Sequence, residues 1–449
     1  MPKDGYELFK KACDYHESIN ISSDVQSEIV DFIKNGSDLS ANAMDAIQEE
    51  DKVWSLLEQA NSADIWNMPD RKKYSTSKFW PHTSHWLTLG NIATAKAIKL
   101  YLNEEPEKTI KFISELNDIG LRTSKAADVV AALAYLVVRQ RQHPVLISSI
   151  DMLPAKSISN HFSKAKRQYC KIPEIGEIII GLEYVGQNSI QDMFQTMREG
   201  ELKGIEKKFI QDLKGDGVET DIISKIEDGE LLSFENWEEM AISTLNNLYA
   251  FYTNRLTTAS SKELLELDSQ IEERISNIES EDFGGEAIDE WMSFATNATA
   301  NTFSLAGARK VHRKVGKAIC HDMMQVFVPS ISQFGITYRE FVAAERMILI
   351  RYATRIYRQK HNKLPENLTQ LVDAGLLDNE MTIDPLTKES LLVENENFKV
   401  YSAGKNLIDD GGEFDGSEPK DLAMLTLDEY WENNTGKSMG SKKRVRGEL

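Results

Sequence analysis

Apolar residues recur at three- and four-residue intervals along most of the chain, the period of a helix with one buried face. In "WEEMAISTLNNLYAFYTNRL" (237–256), Trp237, Met240, Leu245, Leu248 and Phe251 fall near one stripe, and no proline interrupts the interval between Pro173 and Pro329. Two earlier stretches, "SEIVDFIKNG" (27–36) and "EKTIKFISELNDIG" (107–120), close on glycine. Helix ends are therefore expected at Gly36 and Gly120. No fixed period of roughly 30 to 45 residues recurs, as stacked solenoid repeats require. The expectation for residues 1–337 is an irregular multi-helix array or bundle of one or two subdomains. The acidic run 262–285 reads as a solvated helix face with internal charge pairs.

The texture changes near residue 338. "YREFVAAERMILIRYATRIYRQKHNKLP" (338–365) is apolar at Ala344, Ile348, Tyr352 and Ile356, one long helix that Pro365 must end. "ENLTQLVDAGLL" (366–377) repeats helical spacing and closes with a glycine. "DPLTKESLLVENENFKVYSAG" (384–404) then gives a turn and two short strands, with Leu391/Val393 and Phe398/Val400 alternating. The fold class is mainly α, a helical body carrying a small C-terminal α+β module at 338–425. A tail at 426–449 is polar and basic at its tip, where partial disorder is expected.

Composition narrows the partners. The chain has 71 acidic and 52 basic residues, a net charge of −19, which repels phosphate backbones and anionic lipid. The one dense basic run, "SKKRVR" (441–446), lies in the tail, so nucleic acid is not expected as a partner. The longest apolar run, "VVAALAYLVV" (129–138), is half of the about 20 residues that a membrane helix needs. No membrane span is expected, and "MPKDGYELFK" has no apolar leader core. That leaves room for an N-terminal anchor beyond the sequence given. Cys13, Cys170 and Cys320 are scattered without CxxC spacing and read as buried free thiols.

The stretch with the clearest candidate chemistry is "YSAGKNLIDDGGEFDG" (401–416). Calcium takes six to eight hard oxygens gathered by a tightly folded loop. Asp409, Asp410, Glu413, Asp415 and Asp421, with Gly411, Gly412 and Gly416 between them, meet that demand in type and spacing. A solvated acidic turn has the same composition, and the sequence leaves both open.

The order of long helix, "YRQKHNKLPENLTQLV", "IDPLTKESLLV", "FKVYSAGKNLIDDGG" and a downstream "KDL" resembles the globular head of the major pseudopilins of type II secretion systems. It resembles more closely still the large helical proteins of planctomycete-type bacteria that carry this module at their C-terminus. The resemblance covers 338 to about 425. It implies calcium ligands at the backbone carbonyl of Ala403 and the side chains of Asn406 and Asp421, with Asp409 and Asp410 supplying further oxygens. Two departures stand out: Asn406 replaces the family's usual Asp, and the segment before Asp421 is longer. "GITYRE" (335–340) imitates the family's processed leader at Gly335, Thr337 and Glu340. The helix after it carries Glu345, Arg346, Arg351, Arg355 and Arg358, which sit in a membrane only at high cost, so the module is expected to serve structure or recognition.

Other motifs are weaker. "DLKGDGVETDII" (212–223) has Lys214 at the third position of an EF-hand and Ile223 at the twelfth, and reads as a helix–helix turn. "HTSHW" (82–86) and "CHDMM" (320–324) hold histidines, but His312 lies nine residues before His321, too close for a His-Asp phosphohydrolase. The aromatic cluster "FWPHTSHW" (79–86) reads as core beneath a helix start. No nucleophile elbow, Walker loop or dinucleotide fingerprint occurs. The expectation is a non-catalytic cell-envelope scaffold or binding protein with a protein partner and a calcium-ordered loop. The alternatives are an intracellular helical adaptor for peptide helices and a metal-dependent hydrolase using His321 and Asp322.

Overall fold

The computed structural model describes residues 4–49, 51–68, 83–126, 129–199, 234–266, 331–394, 398–412 and 421–436, with single residues between 211 and 224. The first layer is built from α1 (Gly5–Ile19), α2 (Ser23–Asn35), α3 (Ala41–Glu49) and α4 (Asp51–Asn61). Local chemistry sets their ends. Asp4 caps α1 by accepting from Tyr6 N, Ser22 caps α2 by accepting from Val25 N, and α2 stops at Gly36 in the left-handed region.

Three longer helices, α5 (Thr83–Leu102), α6 (Pro106–Ala126) and α7 (Val129–Met152), pack on one another. α7 is buried around most of its circumference, at Tyr135, Leu136, Val138, Val145, Leu146 and Ile150, as befits a central helix that is apolar on all sides. α8 (Ile158–Tyr169) follows, and α9 (Ile175–Glu199) pairs with α10 (Phe234–Thr258) before the short α11 (Ser261–Leu265). None of the described helices is long and apolar enough to cross a membrane.

α12 (Ile331–His361) is the spine of the molecule. Its buried face includes Ala344, Ile348, Tyr352 and Ile356, as the spacing predicts, and its arginines tie it to its surroundings. Arg339 donates to Ser261 Oγ (2.9 Å) and to the carbonyls of Leu256 (3.2 Å) and Ala259 (2.6 Å) at the α10–α11 corner. Arg346 reaches Tyr169 Oη (2.7 Å) on α8 and the Ile383 carbonyl (2.6 Å). Arg351 grips Asp151 of α7 with two bonds (2.7 and 2.6 Å), and Arg355 donates to the carbonyls of Ile150 and Leu153. The charges that bar this helix from a membrane thus serve as clamps and as caps for orphan helix-end carbonyls.

Beyond α12 lie α13 (Thr369–Asp373), a 3₁₀ turn at Asn379–Thr382, and an antiparallel sheet ordered β1 (Leu392–Glu394), β2 (Lys399–Ser402), β3 (Leu422–Ala423). β2 pairs Val400 with Val393 and Tyr401 with Ala423. α14 (Leu427–Thr435) closes the described chain. One hydrophobic cluster runs from Trp86 and Ile150 of the body through Ile356, Leu371 and Val400 of the module to Trp431 of α14. Body and module therefore share a core.

Two expectations are corrected. α6 does not end at Gly120 but continues to Ala126. A Cβ there would lie 2.5 Å from Tyr135 Cδ2, so this glycine lets α7 approach closely and is no cap. Cys170, expected to be buried, is exposed at the end of α8, whereas Cys13 is buried. A test of the first follows from the fixed position of Tyr135, whose hydroxyl donates to Asn117 Oδ1 (2.9 Å) in the core. Gly120→Ala should destabilise by about 1–3 kcal/mol through overpacking, although alanine in a helix ordinarily gains about 0.5–1 kcal/mol. Urea unfolding reads the sign directly.

Candidate functional site

The acidic loop leaves β2 and returns in β3, so a hydrogen-bonded hairpin holds its two ends. Ala403 is buried and Gly404 takes a left-handed turn. Asn406 then forms a tight turn, its Oδ1 accepting from Ile408 N (3.1 Å) while its Nδ2 donates to Asp410 Oδ2 (2.7 Å). Asp409 points away from this group: its Oδ1 accepts from Tyr401 Oη (3.0 Å) and from Gly411 N (2.9 Å). Burial and the neighbouring Asp409 and Asp421 carboxylates push the Tyr401 hydroxyl up to about 12, so it stays a donor.

Asp421 is the centre of the loop. It has no accessible surface, and its Oδ2 accepts from Asp410 N (3.1 Å) and Gly412 N (2.7 Å). Its Oδ1 is buried with no hydrogen-bond partner. A buried carboxylate oxygen left unsatisfied is costly, and a cation beside it would remove that cost. Gly411 and Gly412 both have φ near +78, a conformation that favours glycine and brings their N–H groups onto the two aspartates.

The structure thus joins Asn406 to the Asp410 carboxylate and the Asp410 backbone to Asp421, and leaves Asp409 on Tyr401. Among the described residues no three His, Cys, Asp or Glu side chains gather as a metal cluster. Glu413 and Asp415 lie outside the described residues, as do His82, His321, Asp322, Ile223 and most of the 212–223 loop. The β2 end of the loop is also tied to the spine, where Lys405 Nζ lies 3.7 Å from Glu340 Oε2. Burial raises the Glu340 carboxyl against the pull of Lys405.

A second polar group, which residue spacing did not single out, lies inside the core where α7 crosses α12. Arg139 Nε donates to Glu345 Oε1 (2.7 Å) and its Nη2 to Oε2 (3.1 Å), while His143 Nε2 sits 2.9 Å from Oε1. All three side chains are buried. Burial alone would raise the Glu345 carboxyl, but Arg139 and His143 pull it down to about 2. Burial lowers His143 despite that carboxylate, so near neutral pH the imidazole is neutral and donates its Nε2–H. His143 stacks on Phe341, which meets Tyr135 edge-on. The group is buried and mutually hydrogen-bonded, a joint between α7 and α12. In the sequence Arg139 and His143 stand one helical turn apart, but Glu345 is followed at once by Arg346 and carries no signal of its own.

Comparison with protein-family models, curated proteins and solved structures finds no match to this chain.

Proposed function

We propose that this chain is a non-catalytic scaffold or binding protein of the cell envelope, in which a calcium ion orders the loop from Ala403 to Asp421. The observation that carries the reading is the buried Asp421 carboxylate, satisfied on Oδ2 by two backbone amides and left without a partner on Oδ1. Asp421, Asp410, Asn406 and the Ala403 carbonyl would hold the ion, with Asp409, whose Oδ1 is engaged by Tyr401 and Gly411, as a further oxygen source. Calcium supplies charge neutralisation there and nothing catalytic. Because only the folded loop offers these oxygens together, binding adds to stability by mass action. The envelope location rests on the resemblance of the module to pseudopilin heads and on calcium being plentiful outside the cytoplasm.

The other readings gain less. His321 and Asp322 lie outside the described residues, so nothing is added to a hydrolase built on them. The large exposed apolar side chains among the described residues are Ile65, Met152 and Ile408, single residues on three separate segments, whereas an adaptor groove needs a contiguous patch.

Calorimetric titration with calcium, paired with thermal unfolding, tests the proposal. Wild type is expected to bind with Kd of about 10⁻⁴–10⁻³ M. At ten times Kd the gain is about 1.4 kcal/mol. Asp421→Asn, which keeps the side-chain shape, should weaken binding at least about tenfold. A wild-type protein whose titration and melting curve ignore 10 mM calcium (about ten times the weakest expected Kd) leaves the loop a solvated turn and ends the calcium reading.

A further inference from the structure

A cleft of about 870 Å³ opens between the second half of α12, the end of α7 and the sheet, a size within the range of small-molecule sites. Its accessible apolar surface comes from Ala155, Leu364 and Met424, above the buried Met347 and Ile350, and its charged rim carries Arg351, Arg355, Arg358 and Lys399 against Asp151 and Glu429. Most of that charge is already committed. Arg351 and Asp151 hold each other, and Arg355 serves the carbonyls at the end of α7. Glu429 closes the capping box of α14, accepting from Thr426 N (2.7 Å) and Oγ1 (2.8 Å). Arg358 and Lys399 remain, with no partner among the described residues. In a chain of net charge −19, two cations on one cleft without an ion pair stand out from the general field, Lys399 having Glu394 opposite it across the β1–β2 ladder.

A third observation marks the same wall. Thr354, one turn before Arg358 on α12, lines the cleft and is 4% exposed, and its hydroxyl has no hydrogen-bond partner. Buried hydroxyls are ordinarily satisfied. Helical threonines commonly bond back to the preceding turn, as Thr94 and Thr109 do here.

We infer that this cleft binds a small organic anion, a carboxylate head on an apolar body. The head pairs with Arg358 and Lys399 and the body lies over Ala155, Leu364 and Met424. A phosphate-rich ligand suits the cleft less well. Two helix ends reach it, the C-terminus of α7, whose carbonyls Arg355 already caps, and the N-terminus of α14, whose amides Glu429 and Thr426 cap. Neither offers free donors to a multiply charged head, and the apolar side of the cleft offers such a ligand nothing. This inference goes beyond the calcium reading and does not depend on it.

The test is calorimetry on the full chain with decanoate as probe and inorganic phosphate as the head-only control. Wild type should bind one decanoate with saturation and phosphate far more weakly. Arg358→Gln/Lys399→Gln should weaken decanoate about tenfold or more while keeping the wild-type melting curve, because Arg358 is exposed and Lys399 only half-buried. Thr354→Val should also weaken decanoate, with a melting temperature in its absence equal to or above wild type. The inference is overturned if wild type shows no saturable decanoate binding, if both variants bind it as tightly as wild type does, or if phosphate binds as tightly as decanoate.

Discussion

Replacing Glu345 by leucine is expected to lower the free energy of unfolding by about 3–5 kcal/mol, because it leaves the Arg139 guanidinium charged, buried and without its carboxylate. The pair is not needed for stability as such. An Arg139→Met/Glu345→Leu variant, apolar on both sides and similar in volume, should recover most of the loss. Chemical denaturation of the two single variants and the double variant isolates the coupling. The acid limb gives a second reading. Glu345 stays ionised in the fold down to about pH 2, whereas an unfolded glutamate protonates near pH 4.3. The advantage, about 3 kcal/mol on this shift, is therefore complete at neutral pH and is lost as the pH falls from about 5 to about 2. Glu345→Gln, which imitates the protonated acid, should differ from wild type most at pH 7 and least near pH 2. A gap between the two proteins that does not narrow with acid would mean that the carboxylate charge is not what holds this joint.

Whether a feature could be read from the sequence depended on whether it is local. The face of α12 was legible, since a helix repeats its contacts every three to four residues and Ala344, Ile348, Tyr352 and Ile356 needed no knowledge of what they touch. On α10 the expected stripe holds at Leu245 and Leu248, both buried, but Tyr249 and Tyr252 share it and Phe251 is only half-buried, because α9 covers a wider arc than one row. The strand pattern was right in face and slightly wrong in extent. Leu391 and Phe398 are buried as expected, yet both lie just outside the strands, and Phe398 sits at φ 52 in the turn between them. What the sequence could not carry is the partner. Gly120 looks like any helix-ending glycine until Tyr135 is placed 2.5 Å from its missing Cβ. Arg139 and Glu345 are 206 residues apart, and nothing local distinguishes that glutamate from a solvated one. At the loop, residue type and spacing pointed to Asp409, Asp410, Glu413, Asp415 and Asp421, and the family resemblance added Ala403 and Asn406. The burial of Asp421 and the turn of Asp409 toward Tyr401 are consequences of the hairpin, and only the fold displays them.

The second large effect is expected at Trp431, in the stretch that reads as a tail. Trp431→Ala should cost about 3–5 kcal/mol, as much as a central core residue, for reasons that combine packing with capping. The indole is 4% exposed, lies against Phe32 with ring centroids 6.2 Å apart, and rests on Gly36, where a Cβ would come within 2.8 Å of it. Its Nε1–H donates to the Ile33 carbonyl (3.1 Å), and Asn434 Nδ2 donates to the Lys34 carbonyl (2.7 Å). Both carbonyls belong to the last turn of α2, which has no intrahelical donors for them, so α14 supplies the cap from 398 residues away. Trp431→Phe separates the two contributions. It keeps a ring on Gly36 but removes the N–H, and should cost about 1–3 kcal/mol for the orphaned acceptor and the reduced contact. α14 is in turn fixed at its start, where Leu427 N donates to Ser148 Oγ of α7 (2.8 Å), so a chain ending at residue 425 should lose at least as much as Trp431→Ala. Equal melting curves for the truncated and full-length proteins would show that α14 rides on the surface. A matched loss in the truncation and in Trp431→Ala would place the closing helix among the elements that the first layer needs in order to fold.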